Sequence, residues 1–137
     1  RCGGQGCVEA YVSDRAIQAE ASALGFDSLA QFAASARDGS CEARDVYVRM
    51  GRLLGVGAKN VVNLLNPEAI VLGGERMEDS DLFLDSFLQE LRRHAFSHET
   101  RELKVVPAEL GSDGFLIGAG TLVTEGLFQQ PAMEVAA

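Results

Sequence analysis

Cys2 and Cys7 flank the stretch Gly3-Gly4-Gln5-Gly6. The missing β-carbons let the backbone wrap tightly enough for both sulfurs to face one ion. A structural zinc takes four ligands in a tetrahedron, so two thiols do not complete a site, and the spacing alone is equally compatible with two thiols that are close by chance. The two histidines of the sequence, His94 and His98, stand four apart with Glu90 one turn earlier. That spacing can place metal ligands on one helix face, but no motif accompanies it and Ser97 marks a helix end, so solvated surface is the preferred reading. Cys41, at a predicted helix start, has no base near it in sequence and reads as an inert thiol. Arg92-Arg93 reads as exposed charge at a helix C-terminus, where cations are favoured. Glu9, on its own, is a helix-start acid favoured by the macrodipole. Gly73-Gly74 follows a β-rich run, a position where open α/β sheets bind ligands, although a plain strand-to-helix turn explains it equally well. No GxSxG, Walker A or HExxH pattern is present.

The elements that must position these residues follow from periodicity and punctuation. Ser13 is placed to cap a helix carrying Ile17, Ala21 and Leu24 and ending at Gly25. Ser28 and Gln31 form an S-x-x-Q capping box for a second helix that Gly39 can end. The longest helical period covers residues 42–65 and stops at Asn66-Pro67, because proline disfavours helical geometry in the residue before it. Ala69 to Leu72 reads as a buried parallel strand. Asp79 or Ser80 would then cap a helix whose apolar face runs from Leu82 through Phe87 and Leu91 to Phe96. Residues 103–106 read as a further strand. A last helix begins near Asp113, with Gly118, Ala119 and Gly120 small enough for close approach to a neighbour. The order helices, strand, helix, strand, helix favours an α/β layer with parallel pairing, but two strands make a poor sheet, so further strands are expected upstream.

With 137 residues, 47% of them hydrophobic, the chain suits one core rather than two domains. Twenty acidic against twelve basic residues give a net charge of −8, which repels a phosphate backbone and argues against nucleic-acid binding by this segment. No run approaches the roughly twenty apolar residues needed to cross a bilayer, and no secretory leader is legible, although the chain begins with Arg1. Three cysteines in this arrangement do not form the framework of a small secreted domain, so a cytoplasmic location is expected.

The stretch Cys2-Gly3-Gly4-Gln5-Gly6-Cys7-Val8-Glu9 resembles the signature Cys-x-Cys-Gly-x-x-Gly-Cys-x-Glu of the ROK family (repressors, open reading frames and kinases), whose first cysteine would immediately precede Arg1. A second stretch, Asn63-Leu64-Leu65-Asn66-Pro67-Glu68-Ala69-Ile70-Val71-Leu72-Gly73-Gly74, is similar to that family's helix-turn-strand passage into its glycine loop. Leu110-Gly111 followed by Gly118-Ala119 resembles its closing helix. The resemblance implies the C-terminal part of an actin-like ATPase or ribonuclease H-like lobe: helix-rich α/β with a short parallel sheet, residues 1–130 belonging to a sugar-binding lobe truncated at its N-terminus and residues 131–137 forming a tail.

By the same resemblance Cys2 and Cys7 are two of three cysteine ligands of a structural zinc whose remaining cysteine and histidine lie upstream. Glu9 is implied as an acceptor for sugar hydroxyls, held in place by the zinc loop. Gly73 and Gly74 are implied to lie near a nucleotide in the family's kinases. Those kinases often carry a third glycine where this chain has Glu75, whose charge opposes bound phosphates. The first expectation is therefore the sugar-binding effector portion of a ROK transcriptional repressor, a homodimer that recognises a sugar or sugar phosphate and meets DNA only through an N-terminal domain. The alternative is a glucokinase-like ROK sugar kinase using ATP and magnesium, with its catalytic aspartate upstream.

Overall fold

The computed structural model describes residues 6–93 and 103–128. The expectations placed on Cys2, His94, Phe96, His98 and the tail lie outside the described residues.

Short polar residues and glycines set the helix boundaries. A one-turn helix, α1 (Glu9–Val12), leads directly into α2 (Asp14–Ala23). Ser13 does occupy the N-cap of α2, but its side chain accepts nothing from the helix. Its carbonyl instead accepts the N–H groups of Ala16 and Ile17 at 2.8 and 3.0 Å. Gly25, at φ +86°, ends α2 in a left-handed turn in which the Phe26 N–H donates to Ala21 at 2.9 Å and the Gly25 N–H to Ser22 at 3.1 Å. This closes the helix with two of its otherwise orphaned carbonyls satisfied. The Ser28 hydroxyl accepts the Gln31 N–H at 3.3 Å and starts α3 (Leu29–Arg37). Ser40 repeats the device on Ala43 at 3.3 Å and opens the 25-residue α4 (Cys41–Leu65). Asn66 ends α4 in left-handed geometry, φ 44° and ψ 57°, which asparagine tolerates better than most residues.

The strands β1 (Ala69–Leu72) and β2 (Lys104–Pro107) pair in parallel, with Ala69 opposite Lys104 and Leu72 opposite Pro107. Strand β2 starts one residue later than residues 103–106 suggest, with the buried core residue Leu103 just before it. Between the strands a 3-10 turn (Glu75–Asp79) runs straight into α5 (Ser80–Arg93). A second 3-10 turn (Gly111–Asp113) precedes α6 (Gly114–Phe128).

Two apolar clusters hold the layers. The first joins Ile17 and Ala21 of α2, Phe32 of α3, Tyr47 and Met50 of α4 and Phe83 of α5. Phe32 sits between Phe26, edge-on at 5.3 Å, and Tyr47, stacked at 5.7 Å. The second cluster, Val62, Phe87, Leu91 and Leu103, packs under Ile70, Leu72 and Val105 on one face of the strand pair. The opposite face leaves Val71 and Val106 exposed.

Helices α4 and α5 form the closest packing. A β-carbon built on Gly51 would lie 2.1 Å from Ser86 Oγ and 2.4 Å from the Phe83 carbonyl oxygen. One built on Gly55 would lie 2.7 Å from the Phe87 carbonyl oxygen. The Lys59–Glu90 ion pair, 3.2 Å long and largely buried, bridges the same two helices. The sequence reading gave the close approach to Gly118 and Gly120 instead. Among the described residues that approach is not made: apart from the helix's own backbone, nothing lies within 4 Å of a β-carbon at either position. Helix α6 carries its apolar side chains exposed, among them Phe115, Leu116 and Leu122.

Candidate ligand site at the strand ends

The parallel strands carry their following loops to one end of the pair, and a cavity of about 680 Å³ opens there. Gly73 and Gly74 come from β1, Ala108, Glu109 and Leu110 follow β2, and Gly114 and Phe115 belong to the first turn of α6. The Ala108 N–H donates to the Leu72 carbonyl at 2.7 Å, extending the ladder past the strand ends and setting the two loops side by side. Both glycines are needed locally. A β-carbon on Gly73 would press on Ala108 Cβ at 3.3 Å, and Gly74 holds φ +115°, a conformation that side chains rarely adopt.

The lining is largely apolar, with Glu109 as its one charged residue and, among the described lining residues, no lysine or arginine. Exposed Glu75 follows Gly74 at the start of the 3-10 turn. The first turn of α6 offers the partial positive charge of a helix N-terminus, while the charged residue among the described lining residues is the acid Glu109. Such a cavity accommodates a flat apolar group more readily than an uncompensated anion.

Glu9 lies elsewhere. It is the exposed first residue of α1, two positions after exposed Cys7, and it is not among the residues lining the strand-end cavity. Helix α1 rests on α4, where Val8 would touch a β-carbon on Gly57 at 3.4 Å. Of the sequence-derived candidates, the structure thus brings Gly73 and Gly74 to one cavity and puts Cys7 and Glu9 together at a separate position. Cys2 lies outside the described residues. No group of three or more His, Cys, Asp or Glu among the described residues could hold a metal ion. Cys7 is the one expected zinc ligand in the described part, so that part does not assemble a zinc site by itself.

An ion network that sequence reasoning missed is built on the turn that follows the glycine loop. Asp79, expected with Ser80 as an alternative helix cap, has a side chain only 7% exposed. It is gripped by Arg37 Nη2 at 3.0 Å and by Arg76 Nη1 at 2.8 Å. Arg37 also forks onto Asp81, with Nε and Nη2 donating at 2.8 and 2.7 Å. That fork holds the Asp81 carboxyl below its ordinary range and pushes the Arg37 guanidinium further above its own. Beside Asp79, burial first and then the nearby carboxylate push the Tyr47 phenol up to about 12. No local motif announces this network, because Arg37 and Asp79 are 42 residues apart. The loop after β2 was foreshadowed only by Leu110-Gly111.

The profile of the ROK family matches residues 1–126. The chain is 26% identical over 128 residues to the xylose repressor of Bacillus subtilis, covering 90% of this chain and 33% of the repressor. It is 31% identical over 144 residues to the glucokinase of Streptomyces coelicolor, covering 90% of this chain and 45% of the kinase. Among solved structures, a ROK family glucokinase from Streptomyces griseus in complex with glucose and AMPPNP superposes with a TM-score of 0.73 at 30% identity, over 91% of this chain and 46% of that one. A ROK family transcriptional regulator homologous to the E. coli MLC protein gives 0.68 at 31% identity, over 78% of this chain and 30% of that one. The chain thus spans less than half the length of these relatives. Its helix-rich architecture with a short parallel strand pair is the one these sugar kinases share, of the actin-like, ribonuclease H-like class. A profile match over most of the chain, relatives from both functional branches and a common fold establish that this chain belongs to the ROK family.

Proposed function

We propose that the chain is the sugar-binding effector portion of a ROK transcriptional repressor, with residues 1–130 forming part of the sugar-binding lobe and residues 131–137 a tail. The observation that carries this reading is electrostatic. The strand-end cavity, where a kinase would seat its nucleotide, has Glu109 in its lining, is followed in sequence after Gly74 by exposed Glu75, and has no cation among its described lining residues. Two neighbouring carboxylates repel a triphosphate, which a phosphoryl-transfer site must instead neutralise. Glu9 is the proposed acceptor for sugar hydroxyls, since an ionised carboxylate can take two donors and so fix the orientation of a polyol. Cys2 and Cys7 are proposed to supply two thiolates to a structural zinc completed by residues upstream. The metal would hold the loop preceding α1, and the chemistry of sugar recognition would remain with Glu9. The repressor would act as a cytoplasmic homodimer, with DNA contacted by an N-terminal domain. Among the described residues no helix is long and apolar enough to cross a membrane.

A second reading, a glucokinase-like enzyme, draws on the same cavity. It lies at the carboxyl ends of parallel strands, it carries the Gly73-Gly74 turn, and the Streptomyces griseus glucokinase with glucose and AMPPNP shares the fold. Gly73 and Gly74 would then lie against ATP, and magnesium would neutralise its phosphates. Assaying the full-length protein with ATP, magnesium, glucose and xylose separates the two. The repressor reading expects sugar binding without phosphoryl transfer, and turnover at an ordinary enzymatic rate of about 1 per second or more would overturn it.

A further inference from the structure

Arg76 stands two residues beyond Gly74, in the 3-10 turn that follows the glycine loop. One side of its guanidinium is committed, since Nη1 donates to buried Asp79. The other side, Nε, lies 3.2 Å from Asp14 Oδ1. Asp14 is the first residue of α2, separated from α1 and Glu9 only by a short connection through Ser13. Nε is buried, but its N–H is not aligned for a hydrogen bond, so the contact with Asp14 is an ion pair without directional closure. The remainder of the network is closed firmly. Arg37 is forked onto Asp81 and also donates to Asp79 and to the Glu78 carbonyl, fixing the turn to α3 and α5. A rigid clamp with one adjustable arm reaching the segment that bears Glu9 is a suitable arrangement for fixing that segment's position.

We propose that Arg76 is a positioning residue that ties the glycine-loop turn to the α1–α2 segment through Asp14 and thereby sets how strongly Glu9 holds a sugar. The proposal rests on the reading of Glu9 as the sugar acceptor. Because coupling between sites is reciprocal, anything that shifts the turn shifts sugar affinity, and sugar binding tightens the turn in return.

The test uses full-length protein and its Asp14→Asn, Arg76→Gln, Arg76→Lys and Asp14→Asn/Arg76→Gln variants. Glucose and xylose affinities are measured by calorimetry and backbone amide exchange by mass spectrometry. A partly exposed ion pair of this kind predicts that each single neutralisation weakens sugar binding about three- to five-fold. The double variant should be no weaker than the weaker single, and Arg76→Lys should recover much of the loss. Amides of residues 9–17 should exchange faster in Arg76→Gln while those of α3 keep their wild-type rates. Wild-type sugar affinity in both single variants, or unchanged exchange at residues 9–17, overturns the tie. If wild-type protein binds neither sugar, the reading of Glu9 falls, and the exchange measurement alone then decides whether Arg76 anchors the segment.

Discussion

Replacing Gly51 by alanine tests the packing on which the fold depends. In a solvated helix the change stabilises by about 1 kcal/mol, because alanine loses less backbone entropy than glycine. Here the added methyl carbon would lie 2.1 Å from Ser86 Oγ and 2.4 Å from the Phe83 carbonyl oxygen. The hydroxyl can rotate away at the loss of its 2.8 Å bond to that same carbonyl, but the carbonyl belongs to the α5 backbone and cannot move alone. Helices α4 and α5 must therefore separate by several tenths of an ångström, loosening Met50, Phe83 and Phe87. Overpacking of a rigid contact costs about 1–3 kcal/mol and a backbone clash falls at the upper end, leaving a net loss of about 2 kcal/mol after the propensity gain. For a chain of this size that lowers the melting temperature by roughly 5–10 °C. Thermal and urea unfolding followed by far-ultraviolet circular dichroism read the change, with Gly118→Ala as the control, since among the described residues a β-carbon there meets nothing within 4 Å beyond its own helix backbone. The reasoning is refuted if Gly51→Ala melts at or above the wild-type temperature, or if Gly118→Ala is the more damaging of the two.

Asp79→Asn leaves Arg37 and Arg76 without their shared carboxylate, and because both arginines retain access to water the loss should be about 2 kcal/mol in urea unfolding, below that of a fully buried pair. Tyr47 titrates near 12, above its ordinary 10.0, so the neutral phenol is the form the fold favours. Its contribution is present below pH 10 and is lost as pH rises toward 12. Tyr47→Phe should therefore flatten the alkaline limb of a stability-versus-pH curve, while an unaltered limb would assign that loss to other groups. Full-length protein should carry about one zinc per chain by elemental analysis, and Cys7→Ser should lower that content sharply; equal zinc in both proteins removes Cys7 from the ligand set.

The local punctuation of this fold was legible in the sequence because each signal acts within a few residues. Ser28, Gly25, Gly39 and Asn66-Pro67 satisfy or terminate backbone hydrogen bonds next to themselves, and they start or end helices where their chemistry requires it. The β-rich apolar runs placed β1 correctly and β2 within one residue, but the expectation that β1 is buried is corrected: Ala69 and Val71 are exposed, because one face of the strand pair is uncovered among the described residues. What escaped depends on distant partners. Gly51 and Gly55 look like interruptions in a helical period until Phe83, Ser86 and Phe87 are brought against them. Asp79 reads as a cap from its neighbours and becomes a buried ion only because Arg37 arrives from α3. Helix α6 is apolar on every side, a pattern expected of a helix packed on several faces, yet Phe115, Leu116, Leu122 and Phe128 are exposed among the described residues. The glycine loop was found from sequence, but the other walls of its cavity, Ala108 to Leu110 and Phe115, become neighbours only when β2 pairs with β1.

Calorimetric titration of glucose and xylose into full-length wild-type protein and its Glu9→Gln variant bears most directly on the central claim. A charged acceptor lost from a polyol site weakens binding by about 1.5–3 kcal/mol, so wild-type protein should bind at least one of the two sugars saturably and Glu9→Gln roughly ten- to a hundred-fold more weakly. Equal affinities in the two proteins, or no binding of either sugar by the wild type, would contradict the account.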